Sequence, residues 1–445
     1  MILSLATHQR QDSAKMKRVL IITYYWPPTG GSGVQRWLKF AKYLPQFGWQ
    51  PVVYTPENPD NQLIDESLDS DIPIDLEVLK QPILDPSRLV SIGGRKKQKN
   101  DGYSKIEGKG LLMRLAKWVR GNMFIPDSRI VWVKPSVTYL IKYLKEYPVD
   151  VVITTGPPHS MHLIGEKLSS RLPIKWFVDL RDPISQLITN QELGMSTWAL
   201  KRYKKIERRI LEKCDIVLST SPGMPDVVEP FDRKKFHTIT NGYDDEDFKI
   251  ISNPQVKPFV LTHAGLLSKY RVPKTLLAVL DELISQNISP WDNMELHIAG
   301  IVSDDFYTAL DQYPRLKVMT KDLGYLDHAD ILDVYQTSSI LLLLMNQEAS
   351  FASGTIPGKI FEYFAARKPI LSLGPSNALH ATYFERDDFS AHLDYQDEAG
   401  IKQFLIETAN QISTYDVEKN LYSEFERKKL SKKLSDLLSQ IVNNH

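Results

Sequence analysis

FASGTIPGKIFEYFAARKPILSL, residues Phe351–Leu373, joins a stretch of small residues to an amphipathic segment and an apolar run. The apolar residues that recur at helical spacing are Ile360, Phe361, Phe364 and Ala365. Lys368 and Pro369 follow them, and because proline rarely continues a helix, the helix is expected to end there. The pattern therefore predicts a loop, a short helix and a buried strand in succession.

The start of this predicted helix is suited to binding an anion. Helix N-termini present unpaired amides and the positive end of the helix dipole. Gly354, Thr355 and Gly358 supply amides on a backbone that a phosphate can approach, and Lys359 adds a positive charge. Glu362, one turn into the helix, can accept hydrogen bonds from sugar or ribose hydroxyls. We interpret the segment as a nucleotide-diphosphate pocket; the alternative is an ordinary loop that enters an α/β unit.

The composition is that of a globular protein without a strong overall charge. The chain has 445 residues, of which 42% are hydrophobic and 24% charged, and this length is enough for two domains. Its 55 basic and 54 acidic side chains give a net charge of +1. A nucleic-acid partner is therefore not expected, because nucleic-acid-binding domains carry an excess of basic residues.

The single cysteine, Cys214, excludes an intramolecular disulfide and any multi-cysteine metal site. The first residues show no signal-peptide pattern, and the longest apolar run, Ile340–Met345, is much shorter than a membrane span. We therefore expect a cytoplasmic protein, either free or at the inner face of the cytoplasmic membrane.

Apolar strands alternate with helical patterns in two series. The first series begins at the strand Arg18–Thr23 and the second at Phe259–His263, with a linker over Asn253–Pro258. Strands that alternate with helices form parallel sheets, so the sequence predicts an α/β protein with two Rossmann-like halves.

The loop after the first strand contains Gly30, Gly31 and Gly33. Their spacing does not match the GxGxxG fingerprint of dinucleotide-binding proteins, and no acidic residue ends the next strand. A dinucleotide cofactor is therefore not predicted. So much backbone freedom favours a loop at a ligand-binding edge over a simple connection.

His159 and Asp182 follow the predicted strands Val151–Thr155 and Trp176–Leu180. Because parallel sheets bind ligands at the carboxyl ends of their strands, both residues are candidate catalytic groups. Asp182 can accept the proton of a hydroxyl group, and His159 can contact a sugar or act as a base. The alternatives are a turn begun by Asp-Pro and a helix cap. His162 lies close to His159, but no third ligand is near in the sequence, so zinc is not expected.

The segment from Arg95 to Arg120 contains nine basic and two acidic residues. Its second half alternates apolar residues, including Trp118, with basic residues at helical spacing. A basic amphipathic helix of this kind can lie on an anionic bilayer. The alternative is a helix that faces the core, with a solvated basic side.

Five motifs connect these observations: GPPHS at 156–160, DLRDP at 179–183, NGYDDEDF at 241–248, HAGLLSKYR at 263–271 and GKIFEYFAARKPIL at 358–371. Their order resembles that in bacterial glycosyltransferases that build surface polysaccharides. The chain resembles the GT-B glycosyltransferases, in particular the family-4-type retaining enzymes, over nearly its whole length. The resemblance implies two Rossmann-like domains facing across a cleft: an acceptor-binding domain at 1–250, a nucleotide-sugar-binding domain at 258–420, and a helix at 421–445 that crosses back to the first domain.

The resemblance also implies a donor site without a metal or other cofactor. Glu362 would hold the nucleotide ribose, while the loop amides and Lys359 would hold the diphosphate. Gly265 and Arg271, in the loop after the first strand of the second domain, would complete the site. The glycine loop at positions 30, 31 and 33 would face the cleft and the acceptor. Membrane docking through 95–120 is also implied, since family members often reach lipid-linked acceptors in this way.

Three positions depart from the family pattern. Leu267 stands where an arginine is expected, so Arg271 is assigned that charge, and Gly354 replaces a second glutamate. Many relatives place a histidine near the strand that here ends in Arg181 and Asp182. The acidic patterns at 69–71 and 245–247 match metal-diphosphate motifs of other glycosyltransferases, but we interpret them as turn carboxylates.

The expected function is transfer of a sugar from a nucleotide-sugar to a glycan or lipid-linked acceptor, with retention implied by the resemblance. Two alternatives stay open. The first is a nucleotide-sugar epimerase or hydrolase of the same fold. The second is a non-catalytic module that binds nucleotides or glycans, which the glycine at position 354 makes conceivable.

Overall fold

The computed structural model describes residues 16–59, 64–84, 111–185, 194–248, 251–347 and 356–443. These residues form two parallel sheets, with strand orders β3-β2-β1-β4-β5-β6-β7 and β10-β9-β8-β11-β12-β13. The strands of the first sheet are β1 (Lys17–Ile22), β2 (Trp49–Pro56), β3 (Glu77–Gln81), β4 (Val151–Gly156), β5 (Lys175–Leu180), β6 (Ile216–Ser219) and β7 (Phe236–Thr238). Those of the second are β8 (Phe259–Ala264), β9 (Met294–Ala299), β10 (Thr320–Gly324), β11 (Ile340–Leu344), β12 (Ile370–Leu373) and β13 (Ala391–Leu393). The expected α/β organisation with two Rossmann-like halves is confirmed.

Helices cover both faces of each sheet. Around the first sheet lie α1 (Ser32–Tyr43), α2 (Leu111–Met123), α3 (Ile130–Glu146), α4 (Ser160–Ser169), α5 (Thr197–Lys213) and α6 (Met224–Val227). Around the second lie α7 (Lys274–Ser285), α8 (Asp304–Leu310), α9 (Pro314–Met319), α10 (His328–Gln336), α11 (Lys359–Ala366) and α12 (Glu398–Gln411), and the chain ends with α13 (Arg427–Asn443). We call the first sheet with its helices the first lobe and the second sheet with its helices the second lobe.

The central strands are apolar on both faces because both faces are covered. All six residues of β4 and of β8 are buried, as is typical of parallel sheets between helices. In each sheet the strand order reverses once, between β1 and β4 and between β8 and β11. Ligands of such sheets bind outside the strand ends at this reversal point. A ligand-binding site is therefore expected at the loops that follow these four strands.

The C-terminal segment returns to the first lobe. Leu430, Leu434 and Leu438 of α13 pack with Trp37 and other residues against the first sheet. Before the helix, the backbone around residue 426 pairs with the segment at Tyr243. A Cβ added to Gly242 would lie 2.0 Å from the carbonyl oxygen of Phe425, so only glycine permits this approach. The predicted domain limits of 1–250, 258–420 and 421–445 stay predictions.

Some element bounds differ from the sequence pattern for identifiable reasons. The periodicity predicts a terminal helix from Leu421, but α13 begins at Arg427. The residues before it turn instead, because Phe425 and Tyr422 pack against Phe364 of α11; the Tyr422 and Phe364 rings stack with centroids 3.7 Å apart. None of the helices in the described ranges is long and apolar enough to span a bilayer.

Candidate functional site

Glu362 lies in the first turn of α11, at the edge of the second sheet that faces the first lobe. Its Oε2 accepts hydrogen bonds from Lys359 Nζ and from the hydroxyl of Tyr335, both at 2.9 Å. Burial alone raises the pKa of Glu362, but the charges of Lys359 and His328, together with these hydrogen bonds, bring it below its ordinary value. The carboxylate is therefore ionised and held in one orientation, with its second oxygen Oε1 in no hydrogen bond among the described residues.

The packing of α11 fixes this orientation. Six of the eight residues of α11 are buried, whereas Lys359 and Glu362 keep part of their side chains exposed. The predicted loop residues Gly354 and Thr355 lie outside the described residues. Gly358 precedes the helix as its N-cap residue. The donor-binding assignments of these five positions from 354 to 362 stay predictions.

The loop after β8 brings a second cation to the same edge. Arg271 Nη1 donates a hydrogen bond to the carbonyl oxygen of Leu266 at 3.2 Å. Burial is the largest of the causes that lower the pKa of His263 to about 4; the charges of Arg271 and Lys359 act in the same direction, and a backbone hydrogen bond opposes them. Arg271 and Lys359 are therefore both close enough for their charges to act on the same buried histidine, although they are far apart in the sequence. Leu267, where an arginine was expected, is fully buried in the second core and carries no charge to this edge.

Gly265 ends β8 and holds this loop close to its neighbour. Its amide donates to the carbonyl oxygen of Ala299, at the end of β9, at 2.8 Å. The next connection, at Leu267, pairs with Val302. The loop that carries Arg271 is therefore tied to the adjacent strand end.

The opposite edge, on the first lobe, is built around Arg181. Its guanidinium donates from Nη2 to the carbonyl oxygen of Pro157 at 2.9 Å and from Nε to that of Gly156 at 3.3 Å. A Cβ on Gly33, in the first turn of α1, would lie 2.1 Å from Arg181 Nη1, so any larger residue here would require the guanidinium to move. Gly30 and Gly31 directly precede this helix. The structure therefore brings the glycine loop, the Pro-Pro-His loop and the β5 loop together.

The two predicted catalytic side chains have different surroundings. Asp182 is half-buried, and burial raises its pKa although the Arg181 charge opposes the shift. His159 is only 2% exposed, and neither of its ring nitrogens has a hydrogen-bond partner among the described residues. Burial, with the charge of Arg181, also keeps the pKa of His162 at about 3, so this neighbouring ring is neutral at pH 7. Asp182 is the more accessible of the two candidates, and the catalytic assignment of both stays a prediction.

The first lobe also contains a buried ion pair that the sequence pattern did not predict. The Asp179 carboxylate, on β5, accepts hydrogen bonds from Arg36 Nη2 at 2.9 Å, Trp37 Nε1 at 2.8 Å and Thr155 Oγ1 at 2.8 Å. Arg36 and Asp179 have no exposed side-chain surface. The pair joins α1, which follows the glycine loop, to the strand that leads to Asp182. The only sequence signal was a charge inside the apolar run WFVDL.

Replacing Asp179 by alanine should destabilise the first lobe by roughly 3–5 kcal/mol, because it leaves the Arg36 charge buried without its carboxylate. The measurement is urea-induced unfolding followed by tryptophan fluorescence. The double variant Arg36→Met with Asp179→Leu removes both charges and should lose clearly less stability. Equal losses in the single and double variants would show that packing, not the charge pair, holds this position.

Where α1 meets the turn at Asp245–Asp247, a second charged cluster includes residues of both acidic patterns. Oxygen atoms of Asp71, Asp244 and Asp247 lie within 4.8 Å of one another. Lys39 Nζ lies 2.7, 2.6 and 2.9 Å from the three carboxylates, and Lys42 contacts two of them. The interpretation of these acids as simple turn carboxylates is therefore incomplete, because Asp71 and Asp247 join in one partly buried ion-pair network with Lys39.

The two lobes meet at His328, the first residue of α10. Its Nδ1 is 3.3 Å from Gln35 Nε2 of α1, and its Nε2 is 3.5 Å from Asp247 Oδ2. His328 therefore joins the second lobe to α1 and to the turn at Asp245–Asp247. No motif in the sequence indicates this contact.

Neither a protein-family model nor a curated protein sequence matches the chain. Solved structures do. A glycosyltransferase from Rickettsia africae has a TM-score of 0.61 at 13% identity, over 96% of this chain and 99% of that one. WaaG, a glycosyltransferase involved in lipopolysaccharide biosynthesis, has a TM-score of 0.54 at 14% identity, over 95% and 99%.

A third similar structure contains a ligand. HepE of Anabaena, solved in complex with UDP-glucose, has a TM-score of 0.56 at 14% identity and is matched over 95% of this chain and 99% of that one. At these identities the likeness concerns the fold. The similarity covers 95% or more of this chain in each case, in agreement with the two parallel sheets described above. The chain therefore has the GT-B fold, two Rossmann-like domains that face each other across a cleft.

Proposed function

We propose that the chain is a glycosyltransferase that moves a sugar from a nucleotide-sugar donor to a glycan or lipid-linked acceptor, with retention of configuration. The observation that carries the proposal is the ionised Glu362 carboxylate, oriented by Lys359 and Tyr335 at the cleft edge of the second lobe. A carboxylate fixed in this way is a suitable acceptor for vicinal ribose hydroxyls. The two glycosyltransferases described above, and the HepE structure bound to UDP-glucose, support the same assignment.

The chemistry divides between the two edges. The bond between the sugar C1 and the diphosphate breaks, and the leaving diphosphate carries negative charge that Arg271, Lys359 and the α11 N-terminus are placed to stabilise. The acceptor oxygen forms the new bond to C1 and loses its proton. Asp182, on the first lobe, is the carboxylate assigned to orient that hydroxyl and accept its proton. Closure of the cleft would exclude water from the donor.

Donor turnover tests this function. A set of nucleotide-sugars is first screened for thermal stabilisation, because a ligand that binds the native state raises apparent stability. The best binder is then incubated with and without extracted bacterial glycan and lipid acceptors, and release of nucleoside diphosphate is followed. Release that requires an acceptor supports a transferase. Release without one indicates an epimerase or hydrolase, and binding without release indicates a non-catalytic module.

We further propose that the first lobe contacts an anionic membrane through α2 and the start of α5. Leu115, Trp118 and Trp198 are 57%, 48% and 57% exposed, and Asn122 at the end of α2 accepts a hydrogen bond from the Ser196 amide. The guanidinium of Arg202 lies 5.3 Å from the Trp198 ring. Exposed tryptophans beside basic residues suit the interface between headgroups and acyl chains. Such a contact would bring the cleft close to a lipid-linked acceptor.

Charge reversal at Lys117 and Arg120 should reduce binding to vesicles that contain anionic lipid by about tenfold or more, since each basic residue near such a surface contributes roughly 1 kcal/mol. The measurement is vesicle sedimentation at low and physiological salt, and the wild-type affinity should fall with added salt. The matched control reverses Lys317 and Lys321, two exposed cations of the second lobe. Unchanged binding of the first variant would rule out this surface.

A further inference from the structure

His328 is placed between charged groups from two other elements. Asp247 belongs to the turn at Asp245–Asp247, while Glu362 and Lys359 belong to α11 in the second lobe. Its side chain is 16% exposed. Burial by itself lowers the pKa of His328 and Lys359 opposes protonation, but Asp247 and Glu362 outweigh both, so the pKa lies above its ordinary value. On α10 itself, Asp327 and Asp330 are the acidic residues nearest to it in the sequence.

The fourth neighbour, Gln35, connects this histidine to the first lobe. In the neutral ring, Nε2–H can donate to Asp247 while Nδ1 accepts from the Gln35 amide nitrogen at 3.3 Å. In the protonated ring, Nδ1–H needs an acceptor, and rotation of the Gln35 amide would supply its oxygen. Both protonation states can therefore keep a contact with α1. The two protonation states differ in the charge that the His328 ring carries near Glu362 and Asp247.

We propose that His328 is a positioning residue of the donor site, which couples the Glu362 carboxylate to the first lobe through Gln35 and Asp247. The proposal rests on the proposed function, because it takes Glu362 as the group that holds the donor ribose. The hydroxyl of Tyr335, on the same helix as His328, donates to Glu362 Oε2 at 2.9 Å, so α10 contacts Glu362 and, through His328, also the first lobe. A protonated His328 attracts the carboxylates of Glu362 and Asp247. It also adds positive charge beside Lys359, where a diphosphate is expected. Donor affinity should therefore depend on the protonation of a residue that need not touch the ribose.

The direction of the pH effect follows from the positive charge that His328 carries when it is protonated. A group with a raised pKa keeps its proton up to higher pH, and its contribution is lost as pH rises through that value. The terminal phosphate of a nucleoside diphosphate titrates in the same range, so wild-type affinity alone is not diagnostic. The informative quantity is the ratio of Kd values between a His328 variant and wild type at each pH, because the ligand titration cancels in it.

The experiment measures the Kd of UDP, ADP, GDP and dTDP by calorimetry, selects the best binder, and repeats it from pH 5.5 to 8.5 for wild type, His328→Gln and His297→Gln. Glutamine keeps hydrogen-bonding capacity without a proton to lose. The His328→Gln to wild-type ratio should be roughly tenfold at pH 5.5, equivalent to one pKa unit of coupling, and approach one at pH 8.5. His297, which pairs with Glu295 on β9, is a matched control and should give a ratio near one throughout.

A double-variant cycle separates positioning from a structural effect. If His328 acts through Glu362, the His328→Gln change should matter much less in a Glu362→Gln background, whereas effects that multiply would contradict the proposal. A pH-independent Kd ratio, with or without a fall in melting temperature, would also overturn it. If wild type binds none of the four nucleotides, the proposed function itself fails. If wild type binds and only the His328 ratio stays flat, the inference alone fails.

Discussion

Replacing Glu362 by alanine should weaken binding of the nucleotide donor by about 100-fold or more, since a hydrogen bond to a charged group contributes roughly 1.5–3 kcal/mol and two ribose hydroxyls are involved. The change also removes the acceptor of the buried Tyr335 hydroxyl and the partner of Lys359. Glu362→Gln keeps the shape and an acceptor oxygen, so it should fall between alanine and wild type. Calorimetric titration with the best-binding nucleoside diphosphate gives the three Kd values.

Ligands that lack a ribose hydroxyl make this prediction specific. Wild type should lose affinity for the 2′-deoxy and 3′-deoxy forms of the nucleotide, whereas Glu362→Ala should bind all three forms about equally. Glu282→Ala, on α7 of the same lobe, removes an exposed carboxylate paired with Lys402 and serves as the control. If Glu362→Ala still discriminated against the deoxy nucleotides as wild type does, the ribose assignment would be wrong.

The fold was largely predictable because its signals are local. Apolar runs such as Val151–Thr155 and Phe259–His263 are buried on both faces, and this burial leaves a continuous hydrophobic pattern in the sequence. The short edge strands β3 and β7 were not predicted, since half-exposed strands of three to five residues lack that pattern. The late start of α13 depends on the aromatic packing of Tyr422 and Phe425 against α11, which periodicity cannot reveal.

The candidate site was only partly predictable, because only some of its contacts join residues that are close in the sequence. Lys359 and Glu362 are neighbours on one helix, so their pairing could be expected from spacing. Asp71, Asp247 and Lys39 meet only because the turn at Asp245–Asp247 packs against α1, and no sequence spacing records this contact. Through Asp247 and His328 this network also contacts the second lobe. The local sequence pattern therefore indicates the chemical groups of each edge, whereas the contacts that connect the two lobes arise only in the tertiary structure.

The contacts that connect the lobes would affect how the cleft opens and closes. Lys39 and Gln35 lie on the same helix, α1, and both reach Asp247 or its partner His328. A change in the lobe arrangement must break or re-form these contacts together, because the groups are shared. Surface ion pairs contribute little to stability, but this network is largely enclosed, so its charges are less screened by water. These contacts between the lobes are therefore expected to stabilise one lobe arrangement over others.

Asp182→Asn should lower kcat by about 10²- to 10⁴-fold, the usual contribution of a general acid–base group, with little change in the Kd of the donor. The wild-type rate should fall as pH decreases through the pKa of Asp182, because protonation removes the carboxylate that accepts the hydroxyl proton. Burial raises that pKa, so the loss should begin at a higher pH than for a free aspartate. The asparagine variant has no such titration, and its residual rate should lack this limb.

Three comparisons distinguish this role from a structural one. Asp182→Glu should recover part of the rate, since it restores a carboxylate at nearly the same place. Asp226→Asn, at an exposed carboxylate of the same lobe, should leave rate and pH profile unchanged. His159→Gln tests the other candidate, whose ring is enclosed beside His162. If His159→Gln abolished turnover while Asp182→Asn kept its rate and acid limb, the proton acceptor would be the histidine, and the Pro-Pro-His loop would have to open for it to reach the acceptor hydroxyl.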